Sequence, residues 1–191
     1  MEFMLSPEAD TKRRAAVLTQ IGIDLHDRGR YEDAVAAFEE ALALEPDRVR
    51  AIRGKALCLS QLGKAQEALA FAEEAVKLAR YPGLSYSTLG LVLHRLGRRD
   101  EAEKAFHLGM ENTPDDFRVY YNFACYWAEV ANEEACRRYF GLALDLAAES
   151  FVPQPPNDPD LGRYSHEKWF AEMLAARKRR AAHWQPRRPT N

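Results

Sequence analysis

Apolar and polar positions along the chain fall into short helical patterns separated by polar breaks, and the arrangement returns every 34 residues. Between residues 15 and 48, Leu18, Ile21, Gly22 and Leu25 lie at helical spacing and predict one helix. Gly29 then stands where a left-handed C-terminal residue is expected. Tyr31, Ala34, Val35, Phe38, Ala41, Leu42 and Leu44 predict a second helix, which Pro46 stops after Glu45. Three series of small residues keep this phase through four periods: Gly22, Ala56, Gly90 and Ala124; Ala34, Ala68, Ala102 and Cys136; Ala41, Ala75, Gly109 and Ala143. Small side chains at fixed spacing let two antiparallel helices cross closely, where a leucine at Gly22 or Ala34 would push the axes apart. A period of this size marks stacked repeats, each unable to bury its apolar face alone. Function is then expected on a surface rather than in a catalytic pocket.

The pattern resembles the tetratricopeptide repeat (TPR), in which a large residue, Leu-Gly and an aromatic in helix A are followed by Ala, an aromatic, Ala and Pro in helix B. Residues 15–48 carry Gly22, Gly29, Tyr31, Ala34, Phe38, Ala41 and Pro46 at those places, and residues 83–116 carry Tyr86, Leu89, Gly90, Gly97, Ala102, Phe106 and Pro114. The unit at 49–82 keeps Gly63, Ala68 and Ala75 but has Lys55 and Ala72 where a large apolar and an aromatic residue are usual. The unit at 117–150 has Tyr120, Phe123, Ala124, Trp127, Cys136, Phe140 and Ala143 and lacks the closing Pro. The resemblance implies an all-α fold, a right-handed α-solenoid of TPR-like helix pairs with a C-terminal capping helix. It says little about function, because such repeats bind many different partners.

The uninterrupted period gives one array over residues 6–150. Ser6-Pro7-Glu8 is a good helix start, so the first helix is expected to begin about two turns ahead of the repeat proper. Pro153, Pro155, Pro156 and Pro159 forbid helix and make 151–160 a Pro-rich linker. An amphipathic segment at 161–182, with Trp169, Phe170, Met173 and Leu174 on one side, is expected to cap the exposed end of the last repeat. Tyr121 through Tyr126, with Asp158-Pro159-Asp160-Leu161 and Phe170, resembles the closing unit of bacterial members of the family. Residues 183–191 read as a basic flexible tail.

Charge is uneven: residues 1–150 carry 19 Lys and Arg against 25 Asp and Glu, a net −6, while residues 151–191 carry 8 against 4, a net +4. No stretch of 18 apolar residues occurs and the start shows no signal-peptide pattern, so a cytoplasmic protein is expected. Arg outnumbers Lys by 20 to 7 and Ala is abundant, which points to a bacterial genome rich in G and C. Met1-Glu2-Phe3 precede a second methionine and are set aside. Cys58, Cys125 and Cys136 have no metal-ligand spacing and read as free thiols used in packing.

In arrays of this family the A helices line the concave face. That geometry would place in a partner-binding groove Thr19, Gln20, Ile23 and His26 from the first unit and Arg50, Arg53, Leu57 and Gln61 from the second. Ser87, Leu91, His94 and Arg95 would follow from the third, and Arg118, Tyr121, Asn122 and Cys125 from the fourth. Ile23, Leu57, Leu91 and Cys125 form an apolar strip flanked by Arg50, Arg53, Arg95 and Arg118, which suits a protein or peptide segment with acidic residues or a free C-terminal carboxylate. The plainer alternative is that these arginines are solvated surface charges and the C-terminal segment covers the strip. Members that clamp heat-shock protein tails need paired Lys and Asn at places that here hold Thr19, Ile23, Gly54, Leu84 and Thr88. Shifted by one unit those places hold Arg53, Leu57, Thr88, Arg118 and Asn122, so a heat-shock co-chaperone is not expected.

Arg177, Lys178, Arg179, Arg180, Arg187 and Arg188, with His183 and Trp184 between them, admit an alternative: a nucleic-acid-associated accessory protein that uses the basic tail. Cations also suit a helix C-terminus, which is the stronger reading. No Gly-rich phosphate loop, nucleophile elbow or paired Cys ligand set occurs, and no enzymatic activity, metal or cofactor is expected. His26 and His94 occupy the same place two units apart but lack a third ligand. A non-catalytic adaptor or scaffold, with self-association open, is the expected function.

Overall fold

In a computed structural model, residues 6–147 and 161–183 are described; the linker expected at 151–160, with Trp184, Arg187 and Arg188 of the tail, lies outside them. Side chains from Arg180 onward also lie outside the description. Among the described residues there are nine α-helices and no strand. The chain divides into two compact units, Met1–Thr113 and Pro114–Asn191.

Unit 1 holds three antiparallel pairs: α1 (Pro7–Asp27) with α2 (Tyr31–Leu44), α3 (Val49–Gln61) with α4 (Ala65–Leu78), and α5 (Gly83–Arg95) with α6 (Arg99–Asn112). The first helix of each pair packs beside the next, α1 on α3 and α3 on α5, so the six helices form a short α-solenoid. Ser6 caps α1 by accepting the Ala9 N–H at 3.2 Å, with Pro7 at the first helical position. This makes α1 21 residues long against 13 for α3 and α5.

Each A helix ends in one device. Gly29, Gly63 and Gly97 have φ of 72°, 77° and 75°, and the N–H after each reaches back to close the helix: Arg30 to the Leu25 carbonyl, Lys64 to Leu59 and Arg98 to Leu93, each at 2.9 Å. This is the six-to-one bond of a Schellman end, which only a left-handed residue permits cheaply. In unit 2 the same bond runs from Asn132 to the Trp127 carbonyl at 2.9 Å, but the residue at φ 61° is Ala131.

The odd second repeat is compensated by volume. The Phe38 ring fills the space over both Gly22 and Gly54, where any Cβ would collide with it. One period on, Ala72 replaces the ring, and Ala56 and Thr88 supply side chains where Gly22 and Gly54 have none; all three are buried. Lys55, in place of a large apolar residue, pairs with Glu39 at 2.9 Å and lies 4.2 Å from the Phe71 ring centroid. Its alkyl stem covers apolar surface while the ammonium reaches a partner.

Unit 2 holds a fourth pair, α7 (Phe117–Glu129) with α8 (Glu133–Leu146), then a 3-10 helix (Leu161–Tyr164) and α9 (Lys168–His183). Leu161, Tyr164, Trp169 and Phe170 are buried in one cluster with Ala124, Cys125, Ala128, Cys136, Phe140 and Leu144. Phe140 and Phe170 stack at 5.0 Å between centroids. Two arginines close helix ends: Arg163 donates to the Ala128 carbonyl at 2.8 Å and Arg177 to the Ala147 carbonyl at 2.6 Å. Carbonyls at a helix C-terminus have no intrahelical donor, and a guanidinium satisfies them with favourable charge.

Candidate functional site

On unit 1, α1, α3 and α5 lie side by side and carry most of the residues expected in a groove. Ile23, Leu57 and Leu91 stand at the same place on the three helices, each partly exposed. Ile23 also packs against the core of the first pair. Around this strip the polar groups bridge helices. Arg50 donates to the Gln20 side chain at 3.4 Å, Arg95 to Gln61 at 3.4 Å, and Arg53 Nε to the Thr88 hydroxyl at 3.3 Å. These bonds are long, and a carboxylate makes shorter, stronger bonds with a guanidinium group than a neutral amide or hydroxyl does. His26 lies edge-on to Tyr31 and 3.1 Å from the Asp27 carboxylate.

Thr19 and Ser87 do not line this surface. Both are buried, and each hydroxyl donates to the carbonyl four residues back in its own helix: Thr19 to Ala15 at 2.7 Å and Ser87 to Gly83 at 3.2 Å. Such a bond satisfies the hydroxyl without water. Thr19 further accepts from Arg48 at 2.8 Å, and Arg48 pairs with Glu45 at 2.6 Å, so this half-buried arginine and the buried threonine tie the end of the first repeat to its start. Thr88, the acceptor for Arg53, was not among the expected groove residues; it lies one period and one residue beyond Arg53.

The residues expected from the fourth repeat belong to unit 2. Cys125 is buried in the cluster with Leu161, Trp169 and Phe170, so the C-terminal segment covers that member of the apolar strip. Tyr121 and Asn122 are half-buried. Arg118 is held by the cap of its own helix: Nε and Nη2 meet the two Asp116 oxygens at 2.9 and 2.6 Å, while Asp116 also accepts the Arg118 N–H. That hydrogen bond to a carboxylate pushes the guanidinium pKa up. A ligand carboxylate there would compete with Asp116.

In the basic segment Arg177 is buried on Ala147, and Lys178 and Arg179 are exposed. Cys58, Cys125 and Cys136 are buried and in no disulfide, and burial pushes the Cys58 thiol up to about 12. Among the described residues no group of three His, Cys, Asp or Glu could hold a metal ion, and no helix is long and apolar enough to cross a membrane. An open cavity of about 360 Å³ lies beside Lys55, Phe71 and Pro46 and shares no residue with the α1, α3 and α5 face.

Two family models, both tetratricopeptide repeat, match residues 19–85 and 83–106. No curated protein matches. Solved structures of the same fold include PilF of Pseudomonas aeruginosa, 17% identical, covering 90% of this chain and 75% of that one with a TM-score of 0.58. The first TPR of Spaghetti (RPAP3), bound to the HSP90 peptide SRMEEVD, is 20% identical over 66% of this chain and 94% of that one, with a TM-score of 0.52. MamA of Desulfovibrio magneticus is 22% identical over 69% and 75%, with a TM-score of 0.50. At these identities the structures speak for the fold alone. The fold class is an α-solenoid of helix pairs. The repeat signature in the sequence and the family models, which match within residues 19–106, narrow it to a tetratricopeptide-repeat protein. That family is generally a non-catalytic protein-interaction module.

Proposed function

We propose that this chain is a non-catalytic adaptor that holds a segment of a partner protein along the α1, α3 and α5 face of unit 1. The observation that carries the reading is the strip of Ile23, Leu57 and Leu91, one residue per A helix, bordered by Arg50, Arg53 and Arg95. An extended or helical segment laid across it would seat apolar side chains on the strip and acidic groups on the guanidinium donors. The strip and its donors favour an acidic segment or one ending in a free carboxylate. The RPAP3 domain holds an acidic peptide, SRMEEVD, on this fold, which supports a peptide as the ligand class. Heat-shock tails are not the proposed ligand, because Thr19, Ile23, Gly54, Leu84 and Thr88 lack the amide and lysine groups that grip them. Three buried cysteines outside any disulfide suit a reducing compartment, so we place the adaptor in a bacterial cytoplasm.

Affinity purification of the full chain from its host, with mass spectrometry, names the partner, and calorimetry with the identified segment measures it. Arg50→Glu with Arg95→Glu, both at exposed sites, should abolish binding while leaving helicity unchanged, since each charge-assisted contact is worth about 1.5 to 3 kcal/mol. Binding that survives this double change sinks the groove. Loss on changing Lys178 and Arg179 instead would favour the tail-centred reading, with nucleic acid as partner.

A further inference from the structure

The outer side of α1 and its C-cap carry a row of six residues, all exposed: Asp10, Arg14, Val17, Ile21 and Asp24 on the helix and Arg28 at the cap. Their spacing of four, three, four, three and four is the seam of a two-stranded helix pairing. In the second and third repeats the equivalents of Val17 and Asp24 are Ala51 with Cys58, and Ser85 with Val92, all buried. They form the side on which one repeat packs on its predecessor. On α1 the same side is exposed instead, with Val17 at 53% and Ile21 at 44%.

The row is self-complementary. Turned antiparallel about Thr19, residue 17 of one copy meets residue 21 of the other, 14 meets 24, and 10 meets 28. Valine then faces isoleucine, and every charge faces its opposite: Arg14 with Asp24 and Asp10 with Arg28, each pairing made twice. We propose that α1 is the interface of a two-fold homodimer, joined along this seam with Val17 and Ile21 of both copies at its centre. A two-fold interface must pair a surface with itself, and this row satisfies that requirement in apolar position and in charge. The seam runs for about 27 Å at 1.5 Å per residue, with only four apolar side chains, so the dimer is weak and its population depends on concentration.

The test is sedimentation equilibrium of the full chain from low micromolar to near-millimolar concentration. Mass should rise toward twice the monomer. Arg14→Asp or Asp24→Arg alone sets like charges opposite each other at two places and should raise the dissociation constant about tenfold. The double change Arg14→Asp with Asp24→Arg should restore it to within about threefold. The rescue is specific to the antiparallel register, because within one helix these residues are ten apart, about 15 Å along the axis, and cannot compensate each other. Mixed Val17→Cys and Ile21→Cys chains should form a disulfide faster together than either does alone. A monomer at every concentration overturns the proposal, as does a dimer that ignores the charge changes or a charge swap that fails to rescue.

Discussion

The Phe38 ring lies directly over Gly54, in the first helix of the following repeat, and also over Gly22 in its own. One aromatic side chain therefore fixes the approach of two A helices, and both contacts require the absence of a Cβ. The first repeat is joined to the second through this ring as much as through the chain.

A methyl group at Gly54 would meet the ring closer than any real carbon contact, and Phe38 is fully buried with nowhere to move. Gly54→Ala should therefore destabilise unit 1 by about 1 to 3 kcal/mol through overpacking, despite the better helix propensity of alanine. Phe38→Ala should cost about 3 to 5 kcal/mol by leaving a cavity. Urea titration followed by circular dichroism measures both. Gly54→Ala with no loss of stability would mean the ring has freedom that this packing denies it.

Ala131 holds the left-handed position that Gly29, Gly63 and Gly97 hold elsewhere. An L-residue pays about 1 kcal/mol there, so Ala131→Gly should stabilise the chain by about 0.5 to 1 kcal/mol, seen as a higher melting temperature. Gly97→Ala should lower it by a similar amount.

The helix pairs and the small residues at crossings were legible because each is a local requirement repeated four times, and the glycine ends because theirs recurs three times. Departures from the period were harder to interpret. Lys55 and Ala72 looked like faults in the second repeat, yet Phe71, Ala56 and Thr88 answer them from neighbouring positions. Thr19 and Ser87 were expected on the groove because the family's A-helix geometry places those positions there, and nothing in their spacing tells whether a hydroxyl is satisfied by water or by its own helix. Arg177 belonged by composition to a solvated basic run. Only the fold brings it to the Ala147 carbonyl, 30 residues earlier.

That bond sets Arg177 apart from its neighbours. Arg177→Ala should leave a buried carbonyl without its donor and strip packing from a side chain that is 2% exposed, costing about 2 to 3 kcal/mol. Arg179→Ala, at an exposed site two residues on, should fall within about 0.5 kcal/mol of the parent. Chemical denaturation of the two variants side by side decides whether the basic run is one feature or two.

Cys58 gives stability a defined alkaline limit. Its thiol titrates at about 12 in the folded protein against a reference value of 9.0, with burial the larger cause and the charge of Asp27 the smaller. The folded pKa is the higher one, so the contribution is complete below pH 9. As pH rises from 9 towards 12 the unfolded chain sheds a proton that the native state keeps, and stability falls. Denaturant midpoints measured across this range should drop more steeply for the parent than for Cys58→Ala. The native thiol should also resist alkylation near neutral pH, where unfolded chain reacts at Cys58, Cys125 and Cys136 alike.

Salt separates the two ways this chain could hold a partner. A segment seated on Ile23, Leu57 and Leu91 loses only its charge-assisted contacts to Arg50, Arg53 and Arg95 as salt rises. Its apolar contacts persist, and affinity should weaken modestly. Nucleic acid held by Lys178, Arg179 and the residues beyond them would instead release counterions in proportion to the phosphates neutralised. With about four contacts and single-stranded nucleic acid, the slope of log affinity against log salt would be about −3. Binding of the purified partner measured at several salt concentrations distinguishes a shallow dependence that vanishes with Arg50→Glu and Arg95→Glu from a steep one that ignores them. The second result would move the functional surface from unit 1 to the basic segment.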